Sequence, residues 1–440
     1  MTPRHLSLLT LLLASTVLPP LAAAEFERQP KPDHPYFERY DAHRAPDING
    51  LLLQRGDRLA ICGDSITEQK MYSVIMETYL TVCVPDLDLT VRQYGWSGEK
   101  ADGFLRRMKQ DCLRFDPTVA TTCYGMNDHL YRPYEPSIGD RYREFSTGIV
   151  ETFKEAGVRV ALGSPGTIGK MPGWVRDANG TVEDLNLNLL RLRNIDIEIA
   201  AEEEVRFADV YWPMLTAGFQ ARQRYGDGYD IFGKDGVHPG WAGQTVMAYA
   251  FLKAFGLDGE IGVVTVDLSS GKAQVTSGHT VNAMNDGEVR LTSRRYPFCA
   301  AGGDPSKDDN IRSAMGLIPF NPDLNRFLLR VRGAPAERCT VTWGDQSRDY
   351  TRKELETGVN LADDFHVNPF SPSFQRVWDA VAAKQAYETR QIKQLFHGPE
   401  GRADIDMTAA LTEKVRAPLA LAIAEAFKPV DHVIRITAAK

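Results

Sequence analysis

Residues 58–70 read RLAICGDSITEQK. An apolar-leaning run from Leu59 to Cys62 stops at Gly63-Asp64-Ser65 and passes directly into residues with helical spacing. Such a junction either only turns the chain or displays the side chain at its tip. Serine is a favoured helix N-cap, and that role alone would account for Ser65. At the C-terminal edge of a parallel sheet, however, strand-to-helix turns open on the crevice where ligands bind. The unpaired N–H groups and dipole of the helix start favour a developing negative charge there.

The surrounding pattern sets that context. "RLAIC" is followed by "TEQKMYSVIMETYLTV", where Met71, Val74, Ile75 and Thr78 keep helical spacing. "LTVRQYG" precedes "EKADGFLRRMKQDCLRF", and "TVATTCYG" precedes "DRYREFSTGIVETFKEAG". "VRVALGSP", "VEDLNLNLLRLRNIDIEIAAEEE", "VRFADVY" and "WAGQTVMAYAFLKAFG" complete the alternation. Short β-like runs separated by helices of this length predict βαβ units and a mainly parallel sheet. Right-handed crossovers then give a three-layer α/β/α sandwich over residues 51–256. After Gly256 the segments are joined by Ser-Gly and Asp-Gly turns, which predicts antiparallel β-structure and an accessory domain over 257–440. Residues 371–428 revert to helix, and "HVIRIT" at 432–437 is read as a closing strand.

The first 24 residues set Arg4 and His5 before "LSLLTLLLASTVL", and "PPLAAA" supplies small residues at Ala22 and Ala24. That is the pattern of a secretory signal peptide, with cleavage expected between Ala24 and Glu25 and a secreted or periplasmic product. No later run approaches the ~20 apolar residues of a membrane span, so stable membrane insertion is not expected. Residues 25–50 are polar, proline-containing and aperiodic, and are read as an extended arm over the surface. Acidic residues outnumber basic ones, 58 against 51, and the two are interspersed. That argues against a nucleic-acid partner. The six cysteines contain no C-x-x-C pair, so neither a zinc site nor a dithiol motif is indicated. Export permits disulfides, with Cys299–Cys339 one possible bridge, while Cys62 and Cys123 at strand ends read equally well as buried thiols.

Three further stretches carry chemistry. In "GKDGVHPGWAGQ", Asp235 and His238 are three apart, a spacing that lets the carboxylate orient the imidazole from the same loop. Acyl transfer by serine needs such a base and such a carboxylate. "YGWSGEKADG" and "CYGMNDHLY" each follow a β-like run and should end at the same sheet edge as Ser65. Gly98 can offer a backbone N–H at close approach, and Asn127 a side-chain amide. With the Ser65 N–H they would form a three-donor oxyanion hole. Taken singly, these residues are also an Asp-Gly turn, a turn glycine and a loop former.

Gly-Asp-Ser-Ile, Gly-Trp-Ser-Gly, Gly-Met-Asn-Asp and Asp-Gly-Val-His, in this order, resemble the SGNH (GDSL-type) hydrolase superfamily over roughly residues 55–256. The resemblance implies a flavodoxin-like α/β/α fold, serine esterase chemistry and no metal or cofactor. It places the nucleophile on Ser65, oxyanion donors on Ser65, Gly98 and Asn127, and the Asp and His on Asp235 and His238. The family pattern often runs Asn-x-Gly-x-Ser-Gly, and here "RQYGWSG" has Gln93 in place of that Asn; Ile66 replaces the motif's leucine. The distal half resembles the accessory region of secreted SGNH hydrolases from bacteria rich in polysaccharide-degrading enzymes. The favoured reading is a secreted carbohydrate O-acetyl esterase whose partner is its ester substrate, with Trp96, Tyr124, Tyr131 and Trp174 as candidate sugar-stacking residues. A lipase or lysophospholipase is the alternative within the family, and a non-catalytic glycan-binding protein the alternative outside it. Oligomeric state is not legible.

Overall fold

The computed structural model describes residues 26–176, 179–300 and 302–439, so the leader of residues 1–24 lies outside the described residues. Five strands, β1 (Arg58–Gly63), β2 (Thr90–Gln93), β3 (Val119–Cys123), β4 (Arg159–Gly163) and β5 (Arg206–Ala208), pair in parallel in the order β2-β1-β3-β4-β5. Side chains of β1 alternate between two cores. Leu59 and Ile61 pack with the helices Tyr72–Val82, Tyr211–Tyr225 and Trp241–Ala254, whereas Ala60 and Cys62 pack with Ala101–Asp111 and Pro136–Glu155. Both faces of the sheet are covered, which is why the strands read as near-continuous apolar runs. The result is the three-layer sandwich that the alternation predicts.

The chain steps from β1 to β2 on one side and then crosses to β3 on the other. The C-terminal ends of β1 and β3 therefore flank the switch point where open α/β sheets bind ligands. One local expectation differs. Residues 67–82, read as one helix, are broken: a four-residue turn, Ser65–Glu68, is separated from Tyr72–Val82 by Lys70 at φ 59.

The distal half holds two sheets. The strands Val359–Asn360, Arg326–Arg332, Glu260–Asp267 and Lys272–Val275 form one, in that order. Contrary to the all-antiparallel expectation, Arg326–Arg332 runs parallel to Glu260–Asp267. The second sheet is antiparallel, and the final strand Val430–Ala438 lies inside it, between Arg338–Trp343 and Glu288–Ser293. Phe327 of the first sheet stacks on Trp343 of the second at 5.5 Å and meets His432 edge-on, so the sheets share one aromatic core.

The helix Ser371–Arg390, a π-helical turn at Gln391–Phe396 and the helix Ile405–Ala426 fold back onto the first domain. They cover β2, the open edge of the parallel sheet. The Val91 carbonyl accepts from Lys384 Nζ at 2.5 Å and Arg416 Nη2 at 3.1 Å, and the Gln93 N–H donates to Glu388 Oε2 at 3.2 Å. Side chains thus occupy hydrogen-bonding positions a further strand would take. Among the residues these helices bury are the apolar Val377, Val381 and Ile392 but also the polar Lys384, Gln385 and Glu388. Half of this contact is polar.

At the other end, Phe37 of the N-terminal arm is buried against Trp212 and Phe219, and Asn194 Oδ1 accepts the His43 N–H at 3.0 Å. All six cysteines are buried free thiols, so the bridge considered for Cys299 and Cys339 is absent. No described helix is long and apolar enough to cross a membrane.

Candidate active site

Asp64, not Ser65, caps the turn after β1: its Oδ1 accepts the Ile66 N–H at 2.9 Å. The serine is thereby released from the capping role and stands half-buried at the first helical position. His238 arrives from the loop before the helix Trp241–Ala254. Its Nε2 lies 2.8 Å from Ser65 Oγ, and its Nδ1 lies 2.7 Å from Asp235 Oδ2. The other oxygen of Asp235 accepts the N–H groups of Val237 and His238, both at 2.9 Å. A three-residue spacing therefore fixes carboxylate and ring in one tight turn. Burial alone would raise the Asp235 carboxyl, but those backbone N–H groups and the imidazole outweigh it and hold it below its ordinary value. An ionised Asp235 selects the Nδ1–H tautomer, which leaves Nε2 as acceptor for the serine proton.

The loop after β2 lies directly on the Ser65 turn. A side chain at Gly95 would sit 2.2 Å from the Glu68 nitrogen, so only glycine permits the approach. Gly98 has φ +74 with open space around it; here it is the backbone angle that favours glycine. Asn127, after β3, donates through Nδ2 to the Glu99 carbonyl at 3.0 Å and reaches Asp64 Oδ2 at 3.5 Å, while the Tyr131 hydroxyl donates to its Oδ1 at 3.3 Å. Asp128 pins the same loop by accepting the N–H groups of Ala101 and Gly125. Asn127→Ala is expected to lower kcat by about 10²–10³ with little change in KM, the usual effect of losing one oxyanion donor. Steady-state kinetics on a short-chain chromogenic ester check this, and a large rise in KM at intact kcat would contradict it.

Groups that sequence reasoning missed hold this loop. Arg107 makes a two-pronged pair with Glu99, both contacts 2.7 Å, and donates to the Tyr94 carbonyl. Nothing in "GEKADGFLRRM" marks Glu99 and Arg107 as partners, because the first precedes the helix that carries the second. Gln93 does more than fill the place of the family's asparagine: its Oε1 accepts the Gly95 N–H at 2.9 Å and its amide donates to Thr389 Oγ1.

The aromatic candidates separate. Trp174 is 47% exposed, tilts against the His238 ring at 5.8 Å and meets Tyr131 edge-on. Trp96 lines an open cavity of about 600 Å³ beside Gly98, with Lys100, Arg106, Gln110 and His397. Tyr124 is a correction: it is buried against Phe104 with its hydroxyl donating to Glu99, and it has no face left for a ligand.

Asp64 also carries a pH signature. Burial pushes its carboxyl up to about 7, with the charges of Asp128 and Glu99 adding and the Ile66 N–H opposing. The folded chain keeps a proton that an unfolded aspartate releases near pH ~4. Between about pH 4 and 7 the folded state binds more protons, so this group lowers stability as pH rises. Asp64→Asn retains a capping oxygen and removes the titration. Urea unfolding at about pH 5 and about pH 8 should find the variant gaining on wild type at the higher pH; a difference that does not change with pH would contradict the assignment.

Residues 61–246 match the GDSL-like lipase/acylhydrolase family. No curated protein matches the chain. Among solved structures, it is similar to a gut microbial diltiazem-metabolizing enzyme at 20% identity and a TM-score of 0.71, over 89% of this chain and 100% of that one. An acetylxylan esterase from Geobacillus stearothermophilus aligns at 21% identity and a TM-score of 0.39, over 47% of this chain and 97% of its own. An alpha/beta hydrolase from the metagenome of Lake Arreo, Spain, aligns at 22% and 0.36, over 47% and 98%. The first likeness shows a fold shared through the distal sheets and helices as well as the parallel sheet. The segment that matches the GDSL-like lipase/acylhydrolase family, residues 61–246, is the one that brings Ser65, Gly98, Asn127 and His238 to one sheet edge.

Proposed function

We propose that the chain is an exported serine esterase that removes O-acetyl groups from carbohydrate. The observation that carries the esterase chemistry is the unbroken hydrogen-bond chain Asp235–His238–Ser65. Ser65 Oγ attacks the ester carbonyl carbon as its proton passes to His238 Nε2. The N–H groups of Ser65 and Gly98 and the Asn127 amide receive the oxyanion of the tetrahedral intermediate. Collapse of that intermediate breaks the ester C–O bond, and His238 returns the proton to the departing alcohol. Water, deprotonated by the same imidazole, then attacks the acyl-enzyme and releases the acid and Ser65.

The carbohydrate reading is supported by an aromatic ring beside His238 and by a polar cavity beside Gly98. Trp174 offers an exposed ring next to His238, on a loop, "GTIGKMPGWVRDANG", too polar and glycine-rich to line a channel for a long acyl chain. The cavity beside Gly98 is walled mainly by charged and amide side chains around Trp96, a lining suited to a hydroxyl-rich alcohol. Export rests on the leader sequence alone. Mature protein should release acetate from acetylated polysaccharides in a panel that also contains phospholipids. Fatty-acid release from the phospholipids with no acetate release would replace this reading by the lipase alternative.

A further inference from the structure

We infer that Lys393, on the π-helical turn of the distal half, is a positioning residue for the oxyanion-hole loop of the domain it packs against. The inference rests on the serine-esterase reading above. Lys393 Nζ reaches both carboxylate oxygens of Glu68, at 2.8 and 2.7 Å. Glu68 closes the Ser65 turn, and its Oε2 accepts the Ser97 N–H. Ser97 is the residue before Gly98, so the carboxylate fixes the peptide plane immediately ahead of the one whose N–H faces the oxyanion. Lys393 also lies 5.3 Å from the centre of the Trp96 ring, which has Arg107 at 5.0 Å and His397 edge-on at 4.8 Å.

The clamp extends along the whole loop. Glu388 accepts the Gln93 N–H, Thr389 accepts from the Gln93 amide, and Gln93 in turn accepts the Gly95 N–H. His397 Nε2 is 2.8 Å from Asp111 at the end of the helix that follows the loop. The distal helices therefore hold Gln93 directly and reach Gly95 through Gln93 and Ser97 through Glu68. The π-helical geometry makes this possible: Gln391 turns inward to Arg92 and Glu413 while Ile392 and Phe396 enter the core and Lys393 faces Glu68. A π-turn of this kind costs hydrogen-bond regularity and is characteristically kept where it places a functional side chain.

Both members of the pair are about a quarter exposed, with side-chain exposures of 25% and 23%, so the pair adds little to global stability. Its effect lies in geometry. A Glu68 carboxylate held by an ammonium is fixed in space and keeps its Oε2 aimed at the Ser97 N–H. Without the lysine it is free to rotate toward solvent, and displacement of an oxyanion donor by about 1 Å is enough to slow the chemistry strongly.

The test compares Lys393→Met, Lys393→Arg and Glu68→Gln with wild type and Ser65→Ala on 4-nitrophenyl acetate, with working sites counted by fluorophosphonate titration. Lys393→Met should lower kcat per titrated site by about 10- to 100-fold while KM stays nearly constant. Glu68→Gln should do the same, the double variant should lose little more, and Lys393→Arg should recover most of the rate. Wild-type kcat per site in Lys393→Met, with Ser65→Ala inactive, would overturn the inference and leave the serine reading standing. A fall in the number of titratable sites at unchanged turnover per site would also overturn it, since the lysine would then only hold the fold. Full activity in Ser65→Ala would remove the serine reading and this inference together.

Discussion

Ser65→Ala is expected to lower kcat by about 10⁵-fold, equivalent to about 7 kcal/mol of lost transition-state stabilisation. His238→Ala should cost about as much, and the double variant little more than either, because nucleophile and base act as one unit. The geometric reason is the 2.8 Å contact between Ser65 Oγ and His238 Nε2. With either partner gone, the other has no proton to give or take. Additive losses would mean that the two groups work in separate steps. Wild-type turnover in Ser65→Ala would mean that the turn after β1 displays a bystander.

The second large effect concerns stability. Lys384 is 1% exposed and lies 2.9 Å from both Glu77 and Glu388, with Arg416 completing the cluster at Glu388. Burial raises the Glu77 carboxyl despite the lysine; at Glu388 burial acts the same way, but Lys384, Arg416 and Arg92 outweigh it and hold the group below its ordinary value. Lys384→Met strands Glu77 as an uncompensated buried charge, which costs about 3–5 kcal/mol. The loss should be smaller in acid, because Glu77, whose folded-state value lies above the unfolded one, can then carry a proton. Lys384→Met with Glu77→Gln should recover part of it. A chain ending at Gly256 removes the lysine, the cover of β2 and the partner of Arg92 together, and it should aggregate or fail to fold. A soluble, monomeric and fully active 25–256 fragment would contradict both expectations.

Several features were legible because they leave local marks. An apolar run interrupted at Gly-Asp-Ser betrays a strand buried on both faces and the turn at its end, and four short motifs point Ser65, Gly98, Asn127, Asp235 and His238 to one sheet edge. "HVIRIT" alternates clearly enough to be seen as a strand. What stayed hidden depends on partners far away in sequence. Parallel pairing of Glu260–Asp267 with Arg326–Arg332 leaves no turn between them to read. Tyr124 sits at a strand end like an exposed platform, and only the Phe104 ring and Glu99 reveal it as core. Lys384, Gln385 and Glu388 look like the solvent face of an amphipathic helix, yet they meet the polar edge of β2 and the buried Glu77. The same polarity conceals Lys393, whose role depends on a glutamate 325 positions earlier.

Covalent capture decides whether Ser65 is the nucleophile. Mature protein treated with a fluorophosphonate and digested should yield one modified peptide, with a single phosphonyl group mapped by mass spectrometry to Ser65. Ser65→Ala should remain unlabelled, and His238→Ala should react far more slowly. Stoichiometric labelling at any other residue, or no labelling of a protein that still turns over esters, would contradict the account.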